Sequence, residues 1–205
     1  MFFVLEMIGT IAFAISGAFV GIQKKMDLFG VTILAMTTAV GGGIVRDIIL
    51  DVTPPAAFRN PVFAFSAIAT GIIVFWFVQH PVKVHKPEIY ESILRITDAI
   101  GLGIFTVIGI EAAFIYGRGT NVFLAVFVGV ATGVGGGLLR DIMAGSTPYI
   151  FTKHFYACAS IIGAVFCALS WRHMDHVLAM LLGAGIIVVL RILAARYRWS
   201  LPRIE

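Results

Sequence analysis

The sequence predicts an all-α polytopic membrane protein with seven transmembrane helices, arranged as an inverted 3+3 repeat followed by a seventh helix. Three observations predict it: an apolar composition, seven long apolar stretches and a duplicated motif. Hydrophobic residues make up 60% of the 205 residues and charged residues 13%, whereas soluble domains carry about 45–50% and about 25%. A soluble globule cannot bury so much apolar surface. The same composition, apolar and poor in charge, excludes disorder, coiled coils, disulfide-stapled secreted folds and soluble nucleic-acid binders.

The predicted helices are apolar stretches bounded by glycine, proline or charged residues, and a bilayer-spanning helix takes about 20 residues. The first stretch is not interpreted as a signal peptide, because its start carries Glu6 and no lysine or arginine. The seven predicted spans are about Phe3–Ile22, Phe29–Leu50, Pro61–Gln79, Ile93–Tyr116, Val122–Ala144, His154–Trp171 and His176–Ala195.

Basic residues are distributed unequally between the two sides of this topology. Since loops rich in lysine and arginine stay in the cytoplasm, the N-terminus is expected outside and the C-terminus in the cytoplasm. The C-terminal arginines are interpreted as an anchor beside anionic lipid rather than as a nucleic-acid site. The ten residues on the cytoplasmic side are Lys24, Lys25, Lys83, Lys86, Arg95, Lys153, Arg191, Arg196, Arg198 and Arg203, and the three on the other side are Arg59, Arg118 and Arg172.

One segment of the sequence occurs twice. The chain reads GGGIVRDI at 41–48 and GGGLLRDI at 135–142, and a Thr-Pro pair follows each copy at the same offset of 94 residues. Each unit contains three predicted helices, an odd number, so the second unit must enter the membrane from the opposite face. We therefore predict a single transmembrane domain over 1–205, with repeat one at about 3–80, repeat two at about 93–171 and the seventh helix at about 176–195.

Three consecutive glycines in a membrane helix have two interpretations. Each costs roughly 1 kcal/mol relative to alanine, so a kink or break is expected, and carbonyl groups freed by a break could line a wet pathway and coordinate a cation. The alternative is close packing, because glycine lets helix backbones approach. The positions concerned are Gly41, Gly42, Gly43, Gly135, Gly136 and Gly137.

Charged residues follow both glycine triplets. An arginine at the centre of a membrane helix costs from about 2.5 kcal/mol upward, and adjacent side chains diverge by about 100°, so each is expected to reach a further group. One interpretation is a structural ion-pair network. The other makes the aspartates cation-attracting mouths of a pore, with the arginines fixing their geometry or guarding the pore. The pore-mouth candidates are Arg46, Asp47, Arg140, Asp141 and the repeat-equivalent acids Glu6 and Asp98, while Glu111 is placed near the external interface.

The doubled GGGxxRD motif with Thr-Pro downstream resembles the prokaryotic members of the trimeric intracellular cation (TRIC) channel family, whose sequence domain is also called the bacterial glycine transporter domain. The resemblance covers about residues 3–195. It implies a homotrimer in a bacterial or archaeal inner membrane. Each subunit would hold its own pore, lined by kinked second and fifth helices and passing potassium and other monovalent cations, sodium included. The sequence departs from a symmetric pattern where Glu6 stands opposite Asp98.

Two functions remain open at this point. A potassium-permeable channel would be lined by carbonyl and hydroxyl groups, and the alternative is a secondary transporter of glycine or another small zwitterion. An enzyme is not expected, because the sequence has no catalytic constellation, metal-ligand cluster or phosphate loop; no catalytic residue, metal or cofactor is predicted. The pore-lining candidates are Thr37, Thr38, Thr132 and Ser16, and the candidates for contact with membrane lipids are Lys24 and Lys25.

Overall fold

The computed structural model describes residues 2–79, 87–117, 121–152, 155–197 and 199. In this part of the chain every regular element is an α-helix. The helices are α1 (Phe2–Gln23), α2 (Leu28–Ile49), α3 (Ala56–Arg59), α4 (Val62–Gln79), α5 (Pro87–Ile115), α6 (Val122–Met143), α7 (Tyr149–Thr152), α8 (Tyr156–Ser170) and α9 (His176–Tyr197).

Six of the described helices are long and apolar enough to cross a membrane, namely α1, α2, α4, α5, α6 and α9. The prediction of seven spanning helices is met only in part, because α8 is apolar but 15 residues long. The residue before α8, Phe155, has a left-handed backbone (φ 49°), so the helix cannot extend further toward the N-terminus. The predicted start of this span, His154, lies outside the described residues.

Helices α2 and α6 begin and end in the same way. The side chain of Asp27 caps α2 by accepting a hydrogen bond from the Gly30 amide at 2.8 Å, and Asn121 caps α6 by accepting one from the Leu124 amide at 3.1 Å. Side-chain acceptors at this position satisfy amides that have no partner inside the helix. The two caps stand at the offset that separates the two copies of the motif.

The helices pack around the crossing of α2 with α6. Helix α1 packs against α2, α4 and α5, helix α6 also packs against α5 and α8, and α9 covers α5 and α8. The three charged side chains Asp98, Arg140 and Arg191 approach one another near the N-terminal end of α5 and the C-terminal ends of α6 and α9. The same end of the molecule carries the α1–α2 turn, where Lys24 and Lys25 are exposed.

The predicted orientation in the membrane is not tested by the fold. Several of the basic residues that predict it lie outside the described residues: Lys83, Lys86, Arg118, Lys153, Arg198 and Arg203.

Candidate functional site

The two glycine triplets lie where α2 and α6 cross. Both helices continue without interruption through the triplets, so the expected break is wrong, although a kink within a continuous helix remains a prediction. A methyl group on Gly42 would overlap the carbonyl oxygen of Thr132, and one on Gly136 would overlap that of Thr38. Because the obstructing atoms belong to backbone, only glycine permits this approach of the two helices.

The remaining glycines of the triplets have different surroundings. At Gly43 the nearest atom to an added methyl group would be Arg46 Nη2, at 3.9 Å, so this position is open. A methyl group added to Gly137, its counterpart, would lie 3.1 Å from the hydroxyl oxygen of Tyr156 and 3.6 Å from Asp98 Oδ1. The two copies of the motif therefore present an open surface on one side of the crossing and a filled polar cluster on the other. Across the crossing, Gly41 faces the side chain of Leu139, and Gly135 faces the backbone of Gly42.

Each aspartate of the motif joins its arginine to a short helix. Arg46 Nε donates to Asp47 Oδ1 at 2.8 Å, and Asp47 Oδ2 accepts from the amide of Ala56 at 2.7 Å. Arg140 Nε donates to Asp141 Oδ1 at 2.8 Å, and Asp141 Oδ2 accepts from the amide of Tyr149 at 2.8 Å. Both carboxylates are buried, and each of their oxygens accepts a hydrogen bond from the protein.

A cavity of about 330 Å³ opens between α1, α2 and α5, and we call it the vestibule. Among the described residues, neither Glu6 nor Glu111 forms an ion pair or a side-chain hydrogen bond. The vestibule therefore holds two carboxyl groups that no protein cation neutralises by direct contact. Its lining includes Glu6, Thr10, Gly43, Arg46, Phe105, Ile108, Glu111 and Tyr116.

Opposite the vestibule, across the glycine crossing, a fully buried guanidinium closes the space between three helices. Arg140 is 0% exposed. Its Nη1 donates to Asp98 Oδ1 at 2.7 Å and to the hydroxyl group of Ser16, while Nε engages Asp141. We call these four residues the Arg140 cluster. A buried charge is tolerated only when it is paired and hydrogen-bonded, so the cluster holds α1, α5 and α6 together.

The two halves of the molecule differ because their aligned residues differ. In the alignment that places Glu6 opposite Asp98, Ser16 aligns with Ile108. Ile108 cannot accept a hydrogen bond, and it lines the vestibule beside Arg46. Among the described residues, Arg46 has no hydroxyl partner of the kind that Arg140 has, and it borders the open vestibule.

The predicted hydroxyl positions are only partly brought to this site. The hydroxyl groups of Thr38 and Thr132 donate to carbonyl oxygens of their own helices at 2.6 Å, and both side chains are buried at the crossing. Ser16 belongs to the Arg140 cluster and Thr37 is half-buried on α2. The vestibule is lined instead by Thr10, a hydroxyl residue that is not among the candidates predicted from the sequence.

The position of Arg191 in the sequence predicts a place in the basic anchor beside lipid, but in the structure this arginine is buried. Its side chain is 5% exposed, its Nη2 lies 3.9 Å from Asp98 Oδ2, and its guanidinium lies 4.5 Å from the centre of the Tyr156 ring. Helical periodicity carries the missed signal, because Arg191 continues the buried stripe of Ala184, Ile187 and Ala194 on α9. Asp98 thus lies between two buried arginines.

The fold and the site define a polytopic α-helical membrane protein built on two crossing glycine-rich helices. The family model described as "Glycine transporter" matches residues 3–79 and again residues 95–172. Among curated proteins, the chain is 37% identical over 197 residues to the UPF0126 inner membrane protein YadS of Escherichia coli, covering 96% of this chain and 92% of that protein. A UPF0126 membrane protein of Vibrio cholerae is 35% identical over 204 residues, covering 98% and 82%.

Solved structures of TRIC cation channels have the same fold. One, determined to explain conductance through these channels, is 38% identical with a TM-score of 0.85 and covers 100% of this chain and 98% of its own. The TRIC orthologue of Rhodobacter sphaeroides is 29% identical with a TM-score of 0.87, covering 96% of this chain and 98% of its own. The chain belongs to the TRIC channel family, whose sequence domain is the glycine transporter domain.

Proposed function

We propose that the chain is a potassium-permeable monovalent cation channel with one pathway inside each subunit of a homotrimer. The pathway runs through the vestibule, passes the crossing of α2 and α6, and ends at the Arg140 cluster. The observation that carries this proposal is the placement of an open polar vestibule and a buried ionic cluster on opposite sides of one glycine crossing. Similarity to solved TRIC cation channels supports it.

We propose that the structure represents the closed state of this channel. In the half that holds the vestibule, Arg46 and Gly43 border open space. In the other half, Arg140 occupies the corresponding position and is paired on three helices. Ion passage requires that Arg140 leave the axis of the pathway, so its partners Asp98 and Ser16 control opening.

The topology is part of the same proposal. We propose that α8 serves as the sixth of seven membrane helices, that the two triple-helix units form an inverted repeat, and that the protein lies in an inner membrane with its N-terminus outside. The two matched segments of the family model, 3–79 and 95–172, support two units of similar length. The vestibule then opens to the outside and the Arg140 cluster lies toward the cytoplasm, where Lys24 and Lys25 are placed to contact lipid headgroups.

A planar bilayer measurement tests the channel against the transporter. Purified protein in potassium chloride alone is expected to give discrete unitary currents, with a reversal potential under a salt gradient close to that for potassium. A channel needs no coupled substrate, whereas a transporter passes one substrate per conformational cycle. Electrical silence together with saturable glycine uptake into liposomes, driven by a proton or sodium gradient, would refute the channel.

One feature of the vestibule favours a zwitterion transporter as the second candidate. A guanidinium, that of Arg46, and the two carboxyl groups of Glu6 and Glu111 line the same cavity, and such a set could hold the carboxylate and the ammonium group of an amino acid. In that case glycine should displace bound cations from the vestibule and be taken up. The channel requires instead that currents be the same with and without glycine.

The vestibule carboxylates are expected to concentrate cations. Changing Glu6 or Glu111 to glutamine should lower the unitary conductance by about twofold or more in dilute potassium chloride and much less at 1 M, where the Debye length is about 3 Å. Asp47→Asn serves as the comparison and should show a smaller salt-dependent loss of conductance, because the oxygens of Asp47 already accept hydrogen bonds from Arg46 and Ala56. Equal effects at low and high salt would show that the carboxylates do not act through their field.

The subunit number is expected to be three. Several apolar side chains on α4 and α9 are exposed, which leaves faces for lipid or for other subunits. Chemical crosslinking in native membranes should therefore saturate at a trimer, with no larger species. A dimer as the largest product would contradict the proposed assembly while leaving the pathway within one subunit untouched.

A further inference from the structure

The vestibule is larger and more apolar than a site for a single ion. Its volume of about 330 Å³ is typical of pockets for small molecules, which are mostly apolar with a few polar groups. Its lining includes four aromatic rings, those of Phe2, Phe63, Phe105 and Tyr116. No group of three or more histidine, cysteine, aspartate or glutamate residues gathers as a metal site in the part of the chain that the structure describes.

The vestibule carries an excess of two negative charges when both of its carboxyl groups are ionised. Glu6 and Glu111 line it without an ion pair to any described residue. Arg46 lies in the same lining, but its charge is already paired with that of Asp47. An amino acid zwitterion would leave the excess unchanged, whereas a ligand with two positive charges would balance it.

A buried hydroxyl group in the vestibule has no partner among the described residues. Thr10 is 1% exposed and lines the vestibule. Its hydroxyl group makes no hydrogen bond with the described residues, unlike those of Thr38 and Thr132, which donate to carbonyl oxygens of their own helices. An unpaired buried hydroxyl group is costly. The oxygen of Thr10 can therefore accept a hydrogen bond from a donor in the vestibule, such as an ammonium group.

The walls of the vestibule suit an alkyl chain that carries ammonium groups. Aromatic rings attract organic cations electrostatically, and the ring of Phe105 is held in place by stacking on Phe13, with 5.3 Å between the ring centres. A methylene chain is stabilised by apolar walls such as Ile108 and Ala112. A hydrated metal ion gains nothing from them.

We propose that the vestibule binds a small alkyl diamine of the putrescine class. One ammonium group pairs with Glu6 and the other with Glu111, and the hydroxyl oxygen of Thr10 is a further acceptor. The bound diamine fills part of the cavity and neutralises the carboxylates that attract metal cations. On the proposed channel function, it therefore blocks the pathway from the outer side, whereas the binding itself does not depend on that function.

Binding of labelled putrescine to the purified protein in detergent tests the site without any measurement of current. Butylamine has the same alkyl chain and a single ammonium group. It should compete at least about tenfold more weakly than unlabelled putrescine, because it leaves one carboxylate unpaired. Equal competition by the two amines would overturn the proposal. Stronger competition by glycine than by butylamine would assign the vestibule to a zwitterion, and stronger competition by magnesium than by putrescine would assign it to a divalent metal ion.

Three substitutions and one control locate the bound diamine. Glu6→Gln and Glu111→Gln should each weaken putrescine binding about tenfold, and Thr10→Val, which conserves the shape of the side chain, about fivefold. Asp51→Asn removes an exposed carboxylate beyond the C-terminal end of α2 and should change the affinity by less than about twofold. The thermal midpoint of each variant without ligand checks that it is folded. Equal losses in all four variants would mean that surface charge alone attracts the diamine, and the proposal would fail.

Current recordings test the block separately. Putrescine added to one side of the bilayer should reduce the potassium current, and addition to the other side should have much less effect, because the vestibule opens on one side only. The block should deepen when the voltage drives cations into the vestibule from that side. Binding of putrescine without any block would overturn the block and leave the binding site. The absence of all currents, with binding retained, would count against the proposed channel function alone.

Discussion

Replacing Asp98 with asparagine is expected to raise the open probability of the channel by at least about tenfold. The substitution removes the carboxylate that binds Arg140 Nη1 at 2.7 Å while conserving the volume of the side chain. Loss of one partner from a buried ion pair costs about 3–5 kcal/mol, and about 1.4 kcal/mol changes an equilibrium tenfold. The cost falls on the closed arrangement, since Arg140 reaches water when it leaves the cluster. Single-channel recording in potassium chloride measures the effect.

The repeat-equivalent residue supplies the matched control. Glu6→Gln makes the same chemical change at the aligned position, where Glu6 has no ion pair with any of the residues that the structure describes. It should lower conductance in dilute salt and leave the open probability unchanged. Equal effects of the two substitutions on open probability would contradict the closed-state assignment of the Arg140 cluster.

A milder variant distinguishes an effect on channel opening from loss of the folded protein. Ser16→Ala keeps the pair between Asp98 and Arg140 and removes one hydrogen bond from Arg140 Nη1, a loss of about 1 kcal/mol. Its open probability should rise about fivefold, between those of the unaltered protein and Asp98→Asn. A folded Ser16→Ala protein with lower open probability would show that the hydroxyl group stabilises the open state instead.

The duplicated motif singles out α2 and α6 in the sequence, whereas their crossing at the glycine triplets is a finding of the structure. The glycine triplets occupy the same place in the two copies of the motif, on α2 and α6. An unpaired arginine in a membrane helix is costly, so partners were expected for Arg46 and Arg140. The partners themselves could not be predicted, because Ser16 and Asp98 lie on other helices and are far from Arg140 in the chain. The hydrogen bond from the first amide of the short helix α3 to Asp47 was equally hidden, since a helix of four residues carries no periodic signal.

The errors have local physical causes. The predicted sixth span, His154–Trp171, contains α8 (Tyr156–Ser170) but not its exact start, because the left-handed backbone of Phe155 ends the helix there and composition cannot register a backbone angle. The position of Arg191 near the C-terminus suggests the basic tail. Its burial is instead determined by its place on the buried stripe of α9. Of the two forms expected at the glycine triplets, a kink or a break, the break is wrong, because α2 and α6 are each continuous and pack backbone against backbone at this point.

Replacing Gly42 with alanine is expected to destabilise the folded protein, although alanine is intrinsically the better helix former by about 1 kcal/mol. The new methyl group would overlap the carbonyl oxygen of Thr132, and that oxygen is fixed in the backbone of α6. The two helices must therefore separate, and overpacking of this kind costs about 1–3 kcal/mol or more. The thermal midpoint in detergent should fall by about 2–4 °C for each kcal/mol lost, and Gly136→Ala should behave in the same way because its methyl group meets the carbonyl oxygen of Thr38.

Substitutions at Gly43, the third glycine of the first triplet, distinguish a role of this position in helix packing from a role in ion passage. At Gly43 the nearest atom to an added methyl group is 3.9 Å away, so Gly43→Ala should keep or raise the thermal midpoint. Gly43 lines the vestibule, so Gly43→Leu should leave the protein assembled but reduce the unitary conductance severalfold by filling the path with a bulky side chain. Normal conductance in an assembled Gly43→Leu protein would mean that ions do not pass this face of α2, and the pathway through the vestibule would have to be abandoned.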